Sequence, residues 1–175
     1  KKKIEVLILG DRVDEWMVSY LTEFGGKKLQ SIAKGDLDLG KLEEDSEKEV
    51  KKKIEEKAKT LVENIQKSLG DKVKEVKVTH RLTDSPSCLV VGENDISGNL
   101  ERILKAAGQD TPDVKPVLEI NPTHNLIKKL ESYKGKPEFD RYSSVIFDQA
   151  VLAEGGQLND PVNYVKTINE LLTKA

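Results

Sequence analysis

The sequence predicts an α+β fold: a small sheet with flanking helices and a C-terminal helical hairpin that forms an intermolecular four-helix bundle. Ahead of it stands the last strand–helix–strand of an α/β domain. Three observations predict this. Apolar residues recur at helical spacing in six segments. Short β-branched runs at 73–82, 88–91 and 117–120 read as strands between them. Residues 139–153 and 161–173 carry more apolar surface than one copy buries. Val145-Ile146-Phe147 and Ala150-Val151-Leu152-Ala153 point around most of a helix's circumference, and the second helix adds Val162, Val165, Ile168, Leu171 and Leu172. A second copy supplies the missing cover.

Taken in order, residues 4–9 are continuously apolar at Val6-Leu7-Ile8-Leu9, the pattern of a strand covered on both faces. Asp11 is placed to cap a helix over 12–24 that buries Val13, Trp16, Met17, Tyr20, Leu21 and Phe24. Gly25-Gly26 stops it, and 28–33 returns as a strand, completing a βαβ crossover. Because such a strand needs neighbours on both sides, the opening residues read as the trailing edge of a larger domain. A connector follows at 35–40, then a charged helix over 42–69 whose stripe is Val50, Ile54, Ala58, Leu61, Ile65 and Leu69. Strands 73–82 and 88–91 flank Thr83-Asp84-Ser85-Pro86-Ser87, so a hairpin is expected, with Val76, Val78, His80 and Leu82 on one face. Asp95 caps a helix over 96–107 with the stripe Ile96, Leu100, Ile103, Leu104 and Ala107. Asn121-Pro122 opens another, carrying Leu126, Ile127, Leu130 and Tyr133, and Asp160-Pro161 opens the last.

Composition narrows the function. The 175 residues are 34% charged with a net charge of −2 and interspersed signs, unlike the basic face of a nucleic-acid binder. No run approaches the ~18–20 apolar residues of a membrane span, and no secretory signal is visible. One cysteine excludes an intrachain disulfide. A cytoplasmic protein is expected, with no nucleic-acid or membrane partner.

Little in the sequence points to self-contained catalysis. His80, Asp84 and Cys88 lie close in sequence and invite a cysteine-hydrolase reading centred on Cys88. The stronger reading packs His80 and Cys88 as ordinary strand residues. His124 is too distant to complete a zinc spacing with them, and no Gly-rich phosphate loop is present. No catalytic residue and no metal ligand is expected.

Several motifs share one likeness. Residues 77–86 (Lys-Val-Thr-His-Arg-Leu-Thr-Asp-Ser-Pro), Asp14-Glu15-Trp16-Met17, Leu118-Glu119-Ile120-Asn121-Pro122, Phe147-Asp148-Gln149-Ala150 and residues 153–161 (Ala-Glu-Gly-Gly-Gln-Leu-Asn-Asp-Pro) resemble the ninety-kilodalton heat-shock chaperones, in particular the bacterial form. The likeness runs from Ile4 to Leu172 with every motif in order. It implies the C-terminal part of such a chaperone: residues 1–40 as the end of the middle domain, 41–175 as the C-terminal dimerisation domain. It implies a homodimer that binds unfolded or partly folded client proteins as the dimerisation and client-binding portion of an ATP-dependent chaperone. ATP and Mg would sit in a missing N-terminal domain, so this chain would be no enzyme. Client binding is implied at Glu15, Trp16, Ile96, Leu100, Ile103 and Leu104. The dimer interface is expected at Tyr142, Val145, Ile146, Val151, Leu152, Val165, Ile168, Leu171 and Leu172. The alternatives are a dimerising adaptor without affinity for unfolded chains, and the Cys88 hydrolase.

Overall fold

The structure, a computed structural model, describes residues 5–35, 45–92, 95–112 and 114–173. The connector at 36–40, the first residues of the helix expected from 42, and Ile4 lie outside the described residues, as does the side chain of Glu15.

The fold is α+β, and the strand expected at 117–120 lies at its centre, a position the sequence did not indicate. Strands β3 (Glu75–Val78), β4 (Ser87–Val90) and β5 (Val117–Ile120) form a sheet in the order β3-β5-β4. β5 runs parallel to β3 (Val76 opposite Leu118) and antiparallel to β4 (Leu89 opposite Leu118). The expected hairpin between the neighbouring strands is therefore absent, because β5 lies between them. Its run of Leu118, Glu119 and Ile120 is buried throughout, which suits a strand paired on both sides. Asn121 holds the connecting loop instead: its backbone N–H donates to the Pro86 carbonyl at 2.8 Å and its side-chain amide to Leu82 O at 3.3 Å. The expected alternation also stops at Val78, since Thr79 rather than His80 is buried and its N–H donates to Ile120 O.

Helix α2 (Asp45–Leu69) packs on β3, and α5 (Glu138–Ala153) packs on β4 and on α2. The core is made where these meet: Leu61, Ile65 and Leu69 of α2, Val76, Leu118 and Ile120 of the sheet, and Phe139, Tyr142, Ile146 and Ala150 of α5. Ile127 and Leu130 of α4 (Asn125–Glu131) close it. The α2 stripe is buried from Ala58 onward, whereas Val50 stays exposed. Helix α4 starts later than expected: His124 caps it, with Nδ1 accepting from Leu126 N, while Asn121 Oδ1 accepts from Thr123 in a turn before it. Helix α3 (Gly98–Ala106) is likewise capped by Ser97, not Asp95, whose carboxylate is occupied by Gly92 N.

Residues 5–35 depart most from expectation. Residues 5–10 form no strand, and Val6, Leu7 and Ile8 are exposed. An apolar run becomes a strand only where a neighbour completes its backbone hydrogen bonds, and no described segment pairs with it. Helix α1 (Arg12–Tyr20) is capped by Asp11, whose N–H donates to Asp14 Oδ2 at 2.9 Å. It ends four residues early because Glu23–Phe24 (β1) turns back on Lys27–Lys28 (β2). Gly25 and Gly26 have φ of +57° and +77°, the left-handed pair a two-residue hairpin demands. Of the strand expected at 28–33 only Lys28 is in a strand, at the end of β2, and a single bridge between Lys34 and Val91 follows it.

Candidate functional site

Helix α6 (Pro161–Thr173) is the structural oddity. Asp160 caps it, its Oδ1 accepting from Asn163 N at 2.9 Å. Gly155 (φ +74°) and Gly156 set its return along α5. A Cβ on Gly156 would meet Val151 Cγ1 at 2.8 Å and Val151 O at 2.9 Å, so only glycine lets the turn close this tightly. Yet none of its described side chains is buried. Val162 is 78% exposed, Val165 56% and Leu172 70%, and Leu152 at the end of α5 is 45% exposed. One contiguous pair of helices thus leaves four branched aliphatic side chains in water.

The nine expected interface residues divide accordingly. Leu152, Val165 and Leu172 are exposed; Val151, Ile168 and Leu171 are half-buried, with Leu171 against the core. Tyr142, Val145 and Ile146 are buried in the chain's own interior. The surplus inferred for α5 is therefore smaller than its sequence implies, because α2, α4, α6 and β4 all cover it. Tyr142 stacks on Tyr133 at 4.8 Å between centroids, and burial pushes its phenol up to about 12. Val162 was visible in the sequence stripe but absent from the expected interface.

The second expected surface is divided in space by element. On α1, Val13, Trp16, Met17 and Tyr20 are exposed, Tyr20 by 85%. The stripe expected to bury inward thus faces water. On α3, Ile96 (just before it), Leu100, Ile103 and Leu104 are half-buried, and the helix has no substantial packing on another described helix or strand. Ser97 Oγ accepting from Leu100 N and the Lys105–Glu101 ion pair support it locally.

The cysteine chemistry does not assemble. His80 Nε2 bonds Glu55 Oε1 at 3.1 Å, and Asp84 accepts from Thr83. Burial, with the Glu119 charge adding to it, pushes the Cys88 thiol up to about 11, the opposite of an activated nucleophile. Among the described residues no three His, Cys, Asp or Glu side chains gather as a metal site. A cleft of about 350 Å³ lies between α5 and α6, lined by Asp140, Arg141, Asp148, Asn163, Thr167 and Glu170. Arg141 and Glu170 pair across it at 2.7 Å, and burial raises the Asp148 carboxyl while Lys72 opposes the shift. No described helix is long and apolar enough to cross a membrane.

Residues 1–175 match the family described as Hsp90 protein. A relative from Dechloromonas aromatica, "Chaperone protein HtpG", is 58% identical over 98% of this chain and 27% of its own length. Proteins of the same name from Nitrosococcus oceani and Chromobacterium violaceum are 55% and 56% identical with the same coverage. The chain thus spans about a quarter of the length of these relatives.

These findings correct four expectations. The family match is continuous over the whole chain and names no section of the family, and the overlap is a share of the relatives' length, not a position along it. Assignment to the C-terminal part is therefore reduced to membership in the family. The reading of the chain as the dimerisation and client-binding portion, so far as it rested on a place within the family, is withdrawn with it. So are the statements that the chain lacks the ATPase domain and that ATP and Mg belong to a missing domain, since both rested on that assignment. The chaperone role is stated in the names of these longer relatives. The chain belongs to the Hsp90 family.

Proposed function

We propose that this chain acts by contacting other polypeptides through apolar helix surfaces, as part of a bacterial, cytoplasmic chaperone. The observation that carries this is the absence of any buried residue among the described side chains of α6, despite Val162, Val165 and Leu172. Soluble proteins rarely leave such a contiguous patch open without a partner. In this reading α6 and the end of α5 meet the same surface of a second copy, making a four-helix bundle around a two-fold axis. Leu152, Val165 and Leu172 contribute most, with Val151, Ile168, Leu171 and the newly identified Val162 beside them. Tyr142, Val145 and Ile146 belong to the fold instead.

The exposed stripe of α1 and the half-buried stripe of α3 are read as two contacts for non-native polypeptide, Trp16 with Glu15 in the first and Ile96, Leu100, Ile103 and Leu104 in the second. A large ring that is 48% exposed gains on contact with apolar segments of any sequence. The chain is read as dividing near residue 40, with α1 before that boundary and the other helices after it.

Sedimentation of the chain at tens of micromolar tests the first contact: a dimer is expected, and a monomer refutes it. For the second, Trp16→Arg is expected to weaken suppression of aggregation of a destabilised protein at least severalfold while sedimentation is unchanged. Equal suppression by both forms refutes the assignment of Trp16.

A further inference from the structure

We propose that Arg81 is a latch, holding the segment of residues 5–35 to the sheet at one fixed point through its pairing with Glu119. Residues 5–31 are exposed almost throughout, and α1 and the β1–β2 hairpin have no substantial packing on the other described helices and strands. Hydrogen bonds join Ile32, Ala33 and Gly35 of this segment to Arg81 and Val91, and Lys34 bridges Val91. Gly35 N donates to Val91 O at 2.9 Å, Val91 N donates to Ala33 O at 3.2 Å, and Arg81 Nη1 donates to Ile32 O at 2.7 Å.

The guanidinium is not free to choose that carbonyl. Its Nε donates to Glu119 Oε2 at 2.7 Å, and its Nη2 lies 2.7 Å from Oε1 as an ion pair without hydrogen-bond geometry, so both carboxylate oxygens face the guanidinium. Glu119 stands on the central strand and is 6% exposed. A carboxylate buried there requires a partner, and a planar fork bound along one edge leaves its remaining nitrogen a single direction. That direction ends on Ile32 O. A lysine can neutralise the carboxylate but has no rigid fork to reach both. The Arg81 charge also opposes the burial-driven rise of the Glu154 carboxyl at the end of α5, so a second acid lies in reach of the same cation. Some buried pairs contribute more to a unique arrangement than to net stability, which is the behaviour a latch requires.

Hydrogen exchange on the intact chain tests it, reading the amides of Gly35 and Val91, here called the strap amides, against those of β5. In Arg81→Lys the two strap amides are expected to exchange at least tenfold faster, with β5 protection within twofold of the parent. In the Arg81→Met, Glu119→Leu double variant, which leaves no buried charge, the same selective loss is expected with a thermal midpoint near the parent's. Strap exchange within twofold of the parent in Arg81→Lys overturns the proposal. So does equal loss across strap and β5, which would make Arg81 an ordinary core residue. If the double variant does not fold, Arg81→Lys alone decides.

Discussion

Replacing Val165 and Leu172 with Glu separates self-association from folding, because both side chains project from a helix without a described buried residue. Full burial of a Val or Leu side chain stabilises by ~1.5–3 kcal/mol. With 56% and 70% of these residues exposed, contact with a second copy regains about 2–4 kcal/mol per chain. In a symmetric pair the loss occurs twice, about 4–8 kcal/mol, before any repulsion between the introduced carboxylates. At about 1.4 kcal/mol per tenfold, the dissociation constant rises by roughly 10³ or more. Folding should barely respond, since surface changes away from special features shift stability by about ±0.5 kcal/mol. Sedimentation equilibrium across 1–100 µM (an approximate span chosen to bracket ordinary affinities), with far-UV dichroism as the folding control, reads both quantities. A folded double variant whose association matches the parent refutes the α6 interface, and so does a parent that remains monomeric throughout.

Other outcomes follow from the same packing. Ile146→Ala should cost about 2–5 kcal/mol in chemical denaturation, because this residue is 2% exposed at the junction of α5 with the core; a change below 1 kcal/mol would place it at a surface. Gly156→Ala should cost about 1–3 kcal/mol and weaken association, as its Cβ meets Val151 at 2.8 Å and shifts α6; unchanged midpoint and unchanged sedimentation would contradict this. Alkylation of Cys88 should rise about tenfold per pH unit up to a midpoint near pH 11, whereas a plateau below pH 9 would restore the nucleophile reading. The sign for stability follows: the folded thiol keeps its proton above the ordinary value of 9, so stability from this group is full below pH 9 and declines towards pH 11.

Much of the local structure was legible along the chain. The caps at Asp11 and Asp160, the glycine turn at 155–156 and the spacing of Ala58, Leu61, Ile65 and Leu69 all act within one or two helical turns. The same locality explains where reading failed. Gly25-Gly26 serves equally as a helix stop and as a hairpin turn, and only the pairing of Phe24 with Lys27 chose between them. His124 displaced Asn121 as a cap because the Asn121 side chain was engaged by Thr123 and the loop before β4.

By itself, then, the sequence determined which segments become helices, where three short strands lie along the chain, and the presence of apolar surface in excess near residues 139–173. Tertiary structure alone decided how that excess is distributed. Insertion of β5 between β3 and β4 brought α5 against the sheet and buried Tyr142, Val145 and Ile146. The uncovered remainder was thereby moved onto Leu152 and α6. Periodicity reports that a side chain seeks cover, but which neighbour provides it depends on contacts between residues distant in sequence. The pairing of Arg81 with Glu119 and Ile32 is of the same kind, joining three segments that no local pattern connects.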